Sequence, residues 1–259
     1  MTLLVALILS FFPTLSPTEM QSIGNRIWQN ECAMTIKGLT SWNQGEEFAS
    51  MGIGHFIWFP QSKKQRFIET FPSLVIYLQN KGATIPEWLQ KDLACPWNSR
   101  QEFQDDLNSE KMVQLRSLLK ETIELQTAFI LEQFDQSLLD IEKSCDAKNR
   151  ARIHQQIERL ASTPQGVFAL IDYVNFKGTG ISTDERYGGN GWGLLQVLQT
   201  MNNLSSSSGS GAVADFVLAA KHVLNQRVEN SPPERNEKRW LSGWNKRLES
   251  YLAGLTNAI

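Results

Sequence analysis

The chain has 259 residues, 41% of them hydrophobic and 20% charged, which is enough to bury a full core in one domain or two lobes. A net charge of −2 leaves no footprint for a polyanion, so nucleic acid is not an expected partner. Metal-ligand spacing, a phosphate loop, a nucleotide fingerprint and internal repeats are all missing, so no cofactor is expected.

Residues 2–12 are apolar but too short to span a bilayer comfortably. They are similar to the hydrophobic part of a signal peptide, although no Lys or Arg precedes them and Thr14-Leu15-Ser16 is a poor cleavage site. Residues 1–16 are therefore expected to direct export to a periplasmic or extracellular location, with a buried amino-terminal helix as the alternative. Cys32, Cys95 and Cys145 permit at most one intramolecular disulfide.

Ser16-Pro17-Thr18-Glu19 is a helix start: a Ser cap, Pro at the first helical position and a Glu three residues after the cap. Met20, Ile23, Ile27, Glu31 and Met34 then recur at spacings of three or four, which puts Glu31 on the apolar stripe. A carboxyl group partly desolvated in that way holds its proton more readily and suits general acid catalysis. A helix-end Glu turned out to solvent is the plainer alternative.

After a polar turn around Asn43-Gln44-Gly45, alternation over Glu46 to Phe59 predicts extended chain. Glu46, Phe48, Ser50, Gly52, Gly54, Phe56 and Trp58 would share one face, while Glu47, Met51, Ile53, His55 and Ile57 take the other. Gly52 and Gly54 would then form a bare floor, of the kind a strand keeps where a ligand or another backbone comes close. Glu46 and Ser50 stand on that floor; Glu47 points away unless the turn runs two residues further. An acid at a helix end facing such a hairpin is how a sugar-cleaving cleft is built.

Beyond the hairpin the pattern is helical. Met112 to Ile141 predicts one extended helix or a broken pair, Val167 to Phe176 a helix introduced by Pro164-Gln165-Gly166, and Ser205 to Gly211 a flexible linker. Val213 to Val228 predicts a further helix, and Pro232-Pro233 opens the last, Glu234 to Tyr251. Of the eight tryptophans, Trp42 is the expected sugar contact, because its polar turn shows no other need of a large ring. His55 is expected to be a structural histidine, and Cys32 a small buried residue rather than a nucleophile.

Glu31, the Thr-containing loop after it and Gly52-Ile53-Gly54-His55 resemble the start of phage-type lysozymes (glycoside hydrolase family 24). Ala169-Leu170-Ile171, Leu194-Leu195-Gln196, Ala219-Ala220 and Asn230-Ser231-Pro232-Pro233-Glu234-Arg235 follow in the order of similar fragments in that family. Gly191-Trp192-Gly193-Leu194-Leu195-Gln196-Val197 is similar instead to a signature of lytic transglycosylases and goose-type lysozymes, though no Glu stands at the matching distance before it.

The resemblance implies a mainly α (α+β), lysozyme-like fold: a helical lobe plus a small β-hairpin lobe, as one catalytic domain over residues 17–259 with an enlarged helical insertion around 60–165. It implies a monomeric hydrolase cleaving the glycan strand of peptidoglycan or a related N-acetylhexosamine polymer, with no stable membrane span. Glu31 would be the acid, Glu46 or Glu47 the second carboxylate, and Ser50 the holder of the attacking water. Trp42, Gly52, Gly54, Lys177 and Gln196 would line the substrate. The family's spacing puts the second carboxylate at Gln44, so Glu46 and Glu47 come two and three residues late. The alternatives are a lytic transglycosylase, or a non-catalytic glycan-binding or envelope interaction protein on the same scaffold.

Overall fold

The computed structural model describes residues 15–61, 68–183, 185–201 and 209–253. Residues 1–14 of the expected export signal and most of the expected Ser205–Gly211 linker lie outside the described residues. The chain is mainly helical and divides into two compact units, Pro17–Leu131 and Glu132–Thr256. That boundary falls inside the stretch expected as a helical insertion. Among the described residues no helix is long and apolar enough to cross a membrane.

In the first unit, α1 (Pro17–Cys32) starts at the proline that the capping signal marks and buries Ile23, Ile27, Trp28 and Cys32. Gly24 lets α1 approach α6 (Ile123–Lys143) closely, since a methyl group there would collide with Thr127 Oγ1. A 3-10 turn, Lys37–Leu39, leads into an antiparallel sheet of β1 (Thr40–Ser41), β2 (Ala49–Met51) and β3 (Phe56–Trp58), with Ser50 opposite both Ser41 and Ile57. Buried Arg116, in α5 (Glu110–Glu121), anchors β1: its Nε donates to Thr40 Oγ1 at 2.8 Å and its Nη1 to the Leu107 carbonyl at 2.9 Å. The long predicted helix is the broken pair, α5 and α6, parted at Thr122.

Three short helices, α2 (Phe71–Asn80), α3 (Glu87–Lys91) and α4 (Arg100–Asp105), surround an aromatic core. Trp58 is fully buried there, 4.5 Å from Phe71 and 5.8 Å from Trp97 between ring centroids, and its indole N–H reaches the Leu93 carbonyl at 2.9 Å.

The second unit is built from α7 (Ala147–Ala161), α8 (Pro164–Lys177), α9 (Leu194–Thr200), α10 (Ser210–Asn230) and α11 (Leu241–Ser250). Asp146 and Thr163 cap α7 and α8 by accepting from the Asn149 and Gly166 amides, which satisfies donors that a helix start leaves open. A two-residue hairpin pairs β4 (Arg186–Tyr187) with β5 (Asn190–Gly191) through Gly188 and Gly189, both at positive φ, as its tight turn requires. Asp172 lies 2% exposed within the helices, where Arg247 donates to both its oxygens at 2.8 Å and the Tyr251 hydroxyl adds a third bond. A buried carboxylate persists only when paired and bonded in this way. The last predicted helix is shorter than expected. Asn236, in the left-handed region at φ 45°, separates two 3-10 turns, Pro233–Arg235 and Glu237–Trp240, and α11 starts only at Leu241.

Candidate active site

Glu31 stands one residue before the end of α1, with its side chain 24% exposed. Its Oε2 lies 3.8 Å from Nδ1 of His55, and the other ring nitrogen, Nε2, lies 3.6 Å from Sγ of Cys32. Cys32 Sγ also faces the Gly52 carbonyl at 3.8 Å. Burial first, and the charge of Glu31 second, push the Cys32 thiol up to about 12. The thiol is therefore protonated at neutral pH and available as a donor to the imidazole. One acid, one imidazole and one thiol thus meet where α1 ends against the hairpin.

His55 reaches this place because residues 52–55 are a turn and not a strand. β2 stops at Met51, β3 begins at Phe56, and His55 has φ 48°. The expected face alternation from Glu46 to Phe59 does not exist, and His55, 31% exposed at its side chain, is beside Glu31 rather than on an apolar face. The turn is clamped from behind by Gln126, which is fully buried. Its Oε1 accepts from the Ile53 amide at 3.0 Å while its Nε2 donates to the Leu119 carbonyl and to Thr122 Oγ1.

The two turn glycines are explained by the protein itself. Gly52 has φ +70°, and a methyl group there would strike Gln126 Oε1; at Gly54 it would come within 2.9 Å of the Phe56 ring and 3.2 Å of Ile130. The expected sugar-facing floor is therefore corrected to a packing requirement. Trp42 is corrected likewise. It is 4% exposed, edge-on to Phe103 at 5.9 Å, and its indole N–H closes the 42–46 loop on the Glu46 carbonyl at 2.9 Å, while its own carbonyl accepts from Arg100.

Glu46 and Glu47 lie at the other end of β2, in a loop that runs through Phe48, so the turn does extend further than the strand pattern suggests. Glu47 is exposed, whereas Glu46 is half-buried with Oε2 enclosed and without a hydrogen-bond partner among the described residues. An enclosed acceptor left unmatched costs about 1–3 kcal/mol. Ser50, mid-strand, is only 3% exposed.

No protein-family model, curated protein or solved structure matches the chain.

Lys177 and Gln196 belong to the second unit. Gln196 is a strut and not a free lining residue: its Oε1 accepts from the Gly193 amide at 3.0 Å and its Nε2 donates to the Gly180 carbonyl at 3.1 Å. Lys177 is 9% exposed, with Nζ 3.5 Å from the centroid of the Trp244 ring.

The first unit also carries two clefts of about 560 and 320 Å3 that share Trp88 and Lys111; neither is lined by Glu31, Glu46, Glu47 or Ser50. Among the described residues, no group of three or more His, Cys, Asp or Glu side chains is placed to hold a metal. The sequence reading set aside two residues that the geometry draws in, Cys32 and His55. The available signal was Cys32 next to Glu31 and His55 in last place of a Gly-Ile-Gly-His turn.

Proposed function

We propose that the chain cleaves the glycan strand of peptidoglycan or a related N-acetylhexosamine polymer on a lysozyme-like fold, with Glu31 as the general acid. The observation that carries this reading is the setting of Glu31: a part-exposed carboxyl group at a helix end, 3.8 Å from the His55 imidazole in the turn of the hairpin that follows. The order of helix-end Glu, short sheet and Gly-Ile-Gly-His turn supports it as well. In this account Glu31 protonates the departing glycosidic oxygen, and His55 holds the carboxyl group in place. Of the two candidates for the second carboxylate, Glu46 is the one with an unmatched oxygen, but both lie at the opposite end of β2 from the turn that meets Glu31, so the acid chemistry of this reading rests on Glu31.

The burial of Ser50, which barely reaches solvent, favours a second reading, transglycosylation, in which no water attacks. One digestion separates the readings. Purified cell walls are incubated with the full chain and the soluble fragments are weighed by mass spectrometry. Hydrolysis leaves reducing ends, transglycosylation leaves fragments lighter by one water per end, and a pure binding protein releases nothing.

A further inference from the structure

The geometry points to an oxyanion-binding site in the second unit, formed by Lys177 and Arg227 around the ring of Trp244. Lys177 ends α8, and its ammonium group lies 3.5 Å from the Trp244 centroid and 4.1 Å from that of Phe176. The residue is 9% exposed and makes no hydrogen bond or ion pair with any described residue. The ammonium group rests on two aromatic rings and keeps three donors free for water or a ligand.

The charged groups facing it are Arg227 from α10, Arg247 from α11 and Glu237 from the turn before α11. Both carboxylates of the cluster are already taken. Glu237 receives Arg227 at 2.7 and 2.9 Å and the Tyr187 hydroxyl at 2.9 Å, and Asp172 receives Arg247 and Tyr251. Arg235, 4.0 Å from Glu237, joins them, so four cations share two anions.

Arg227 has capacity to spare. Its Nε and Nη2 are on Glu237, its guanidinium lies 4.0 Å from the Trp192 centroid and 5.2 Å from that of Trp244, and Nη1 makes no hydrogen bond among the described residues. The Lys177 ammonium and the Arg227 guanidinium thus both lie against the Trp244 indole, and each keeps N–H groups with no partner among the described residues. Phe176, Trp244 and Arg227 are only half-buried, so the cluster opens to solvent. A carboxylate or a tetrahedral oxyanion has the charge to balance the excess and the acceptors to take both sets of donors. Without it, burial and the two guanidinium groups hold the Lys177 pKa down to about 7. With it, the ammonium form is restored.

The test reads binding and does not depend on wall cleavage. Sodium acetate and sodium sulfate, whose charges are constant between about pH 6 and 9, are titrated into the full chain at fixed ionic strength, with tryptophan fluorescence and melting temperature as readouts. We expect a saturable response at about pH 6 to one or both salts: acetate alone identifies a carboxylate site, sulfate alone a tetrahedral one. Affinity should fall about tenfold per pH unit above the Lys177 pKa. Lys177→Met keeps the packing on Trp244 and should lose the response; Lys177→Arg should keep it and lose the pH dependence, which decides the matter if the Met variant does not fold. A response that does not saturate, or that is the same in Lys177→Met, would overturn the site.

Discussion

Cys32 shows how burial beside Glu31 treats a thiol. The thiol has nowhere to place a negative charge: it is buried, and the nearest acid is Glu31 itself, so its pKa rises to about 12. Cys95, also buried, is pushed up to about 12 mainly by loss of water. Cys145 is half-exposed, and all three cysteines are free. Because the thiolate is the reactive form, an aromatic disulfide reagent at about pH 8 should modify Cys145 rapidly and Cys32 and Cys95 at least about a hundredfold more slowly, with all three alike in denaturant. Fast labelling of Cys32 in the folded protein, located by peptide mass, would instead mark it as a nucleophile and remove it from its supporting place beside His55.

At the scale of elements, the Gly52–His55 turn is the part on which the site depends, and it is also where sequence pattern misled. Gly-Ile-Gly-His between two short strands alternates as a strand does, and nothing local reveals that Gln126, more than seventy residues later, turns the chain there. Trp42 failed for the same reason, since its partners Phe103 and Arg100 are distant in sequence. Starts of helices were legible where the cue is local: Ser16-Pro17 opens α1, and the Pro164-Gln165-Gly166 signal marks α8, which starts at Pro164 itself, three residues before the expected Val167. The final helix was overextended because Asn236 takes a left-handed conformation that no pattern of apolar residues reports. If the turn glycines serve packing, Gly52→Ala should destabilise the protein by about 1–3 kcal/mol for its positive φ, plus the collision with Gln126. Gly45→Ala, also at positive φ but with open space around it, should cost only the conformational part, about 1 kcal/mol. Urea unfolding of the pair measures the difference; equal losses would show that Gln126 gives way and that it does not clamp the turn.

For the molecule as a whole, titration joins these local facts to stability. Lys177 has an ordinary value of 10.5 when unfolded and about 7 when folded, so between those limits the unfolded chain binds more protons and stability rises with pH. Cys32 and Cys95 act in the opposite sense: raised from 9.0 to about 12, they hold protons in the folded state that the unfolded chain releases, and stability falls across that window. The melting temperature should therefore climb from about pH 7 to 9 and decline beyond, and Lys177→Met should lose the climb while keeping the decline; a profile identical in both proteins would contradict the lysine's part. The central claim, that Glu31 drives glycan cleavage, is tested most directly by the rate at which soluble fragments leave purified cell walls. With wild type and Glu31→Gln compared at equal melting temperature, the amide should slow release by about 10²- to 10⁴-fold, since it keeps the shape of the acid but cannot donate its proton. A folded Glu31→Gln protein that releases fragments at the wild-type rate, or a wild type that releases none, would contradict it.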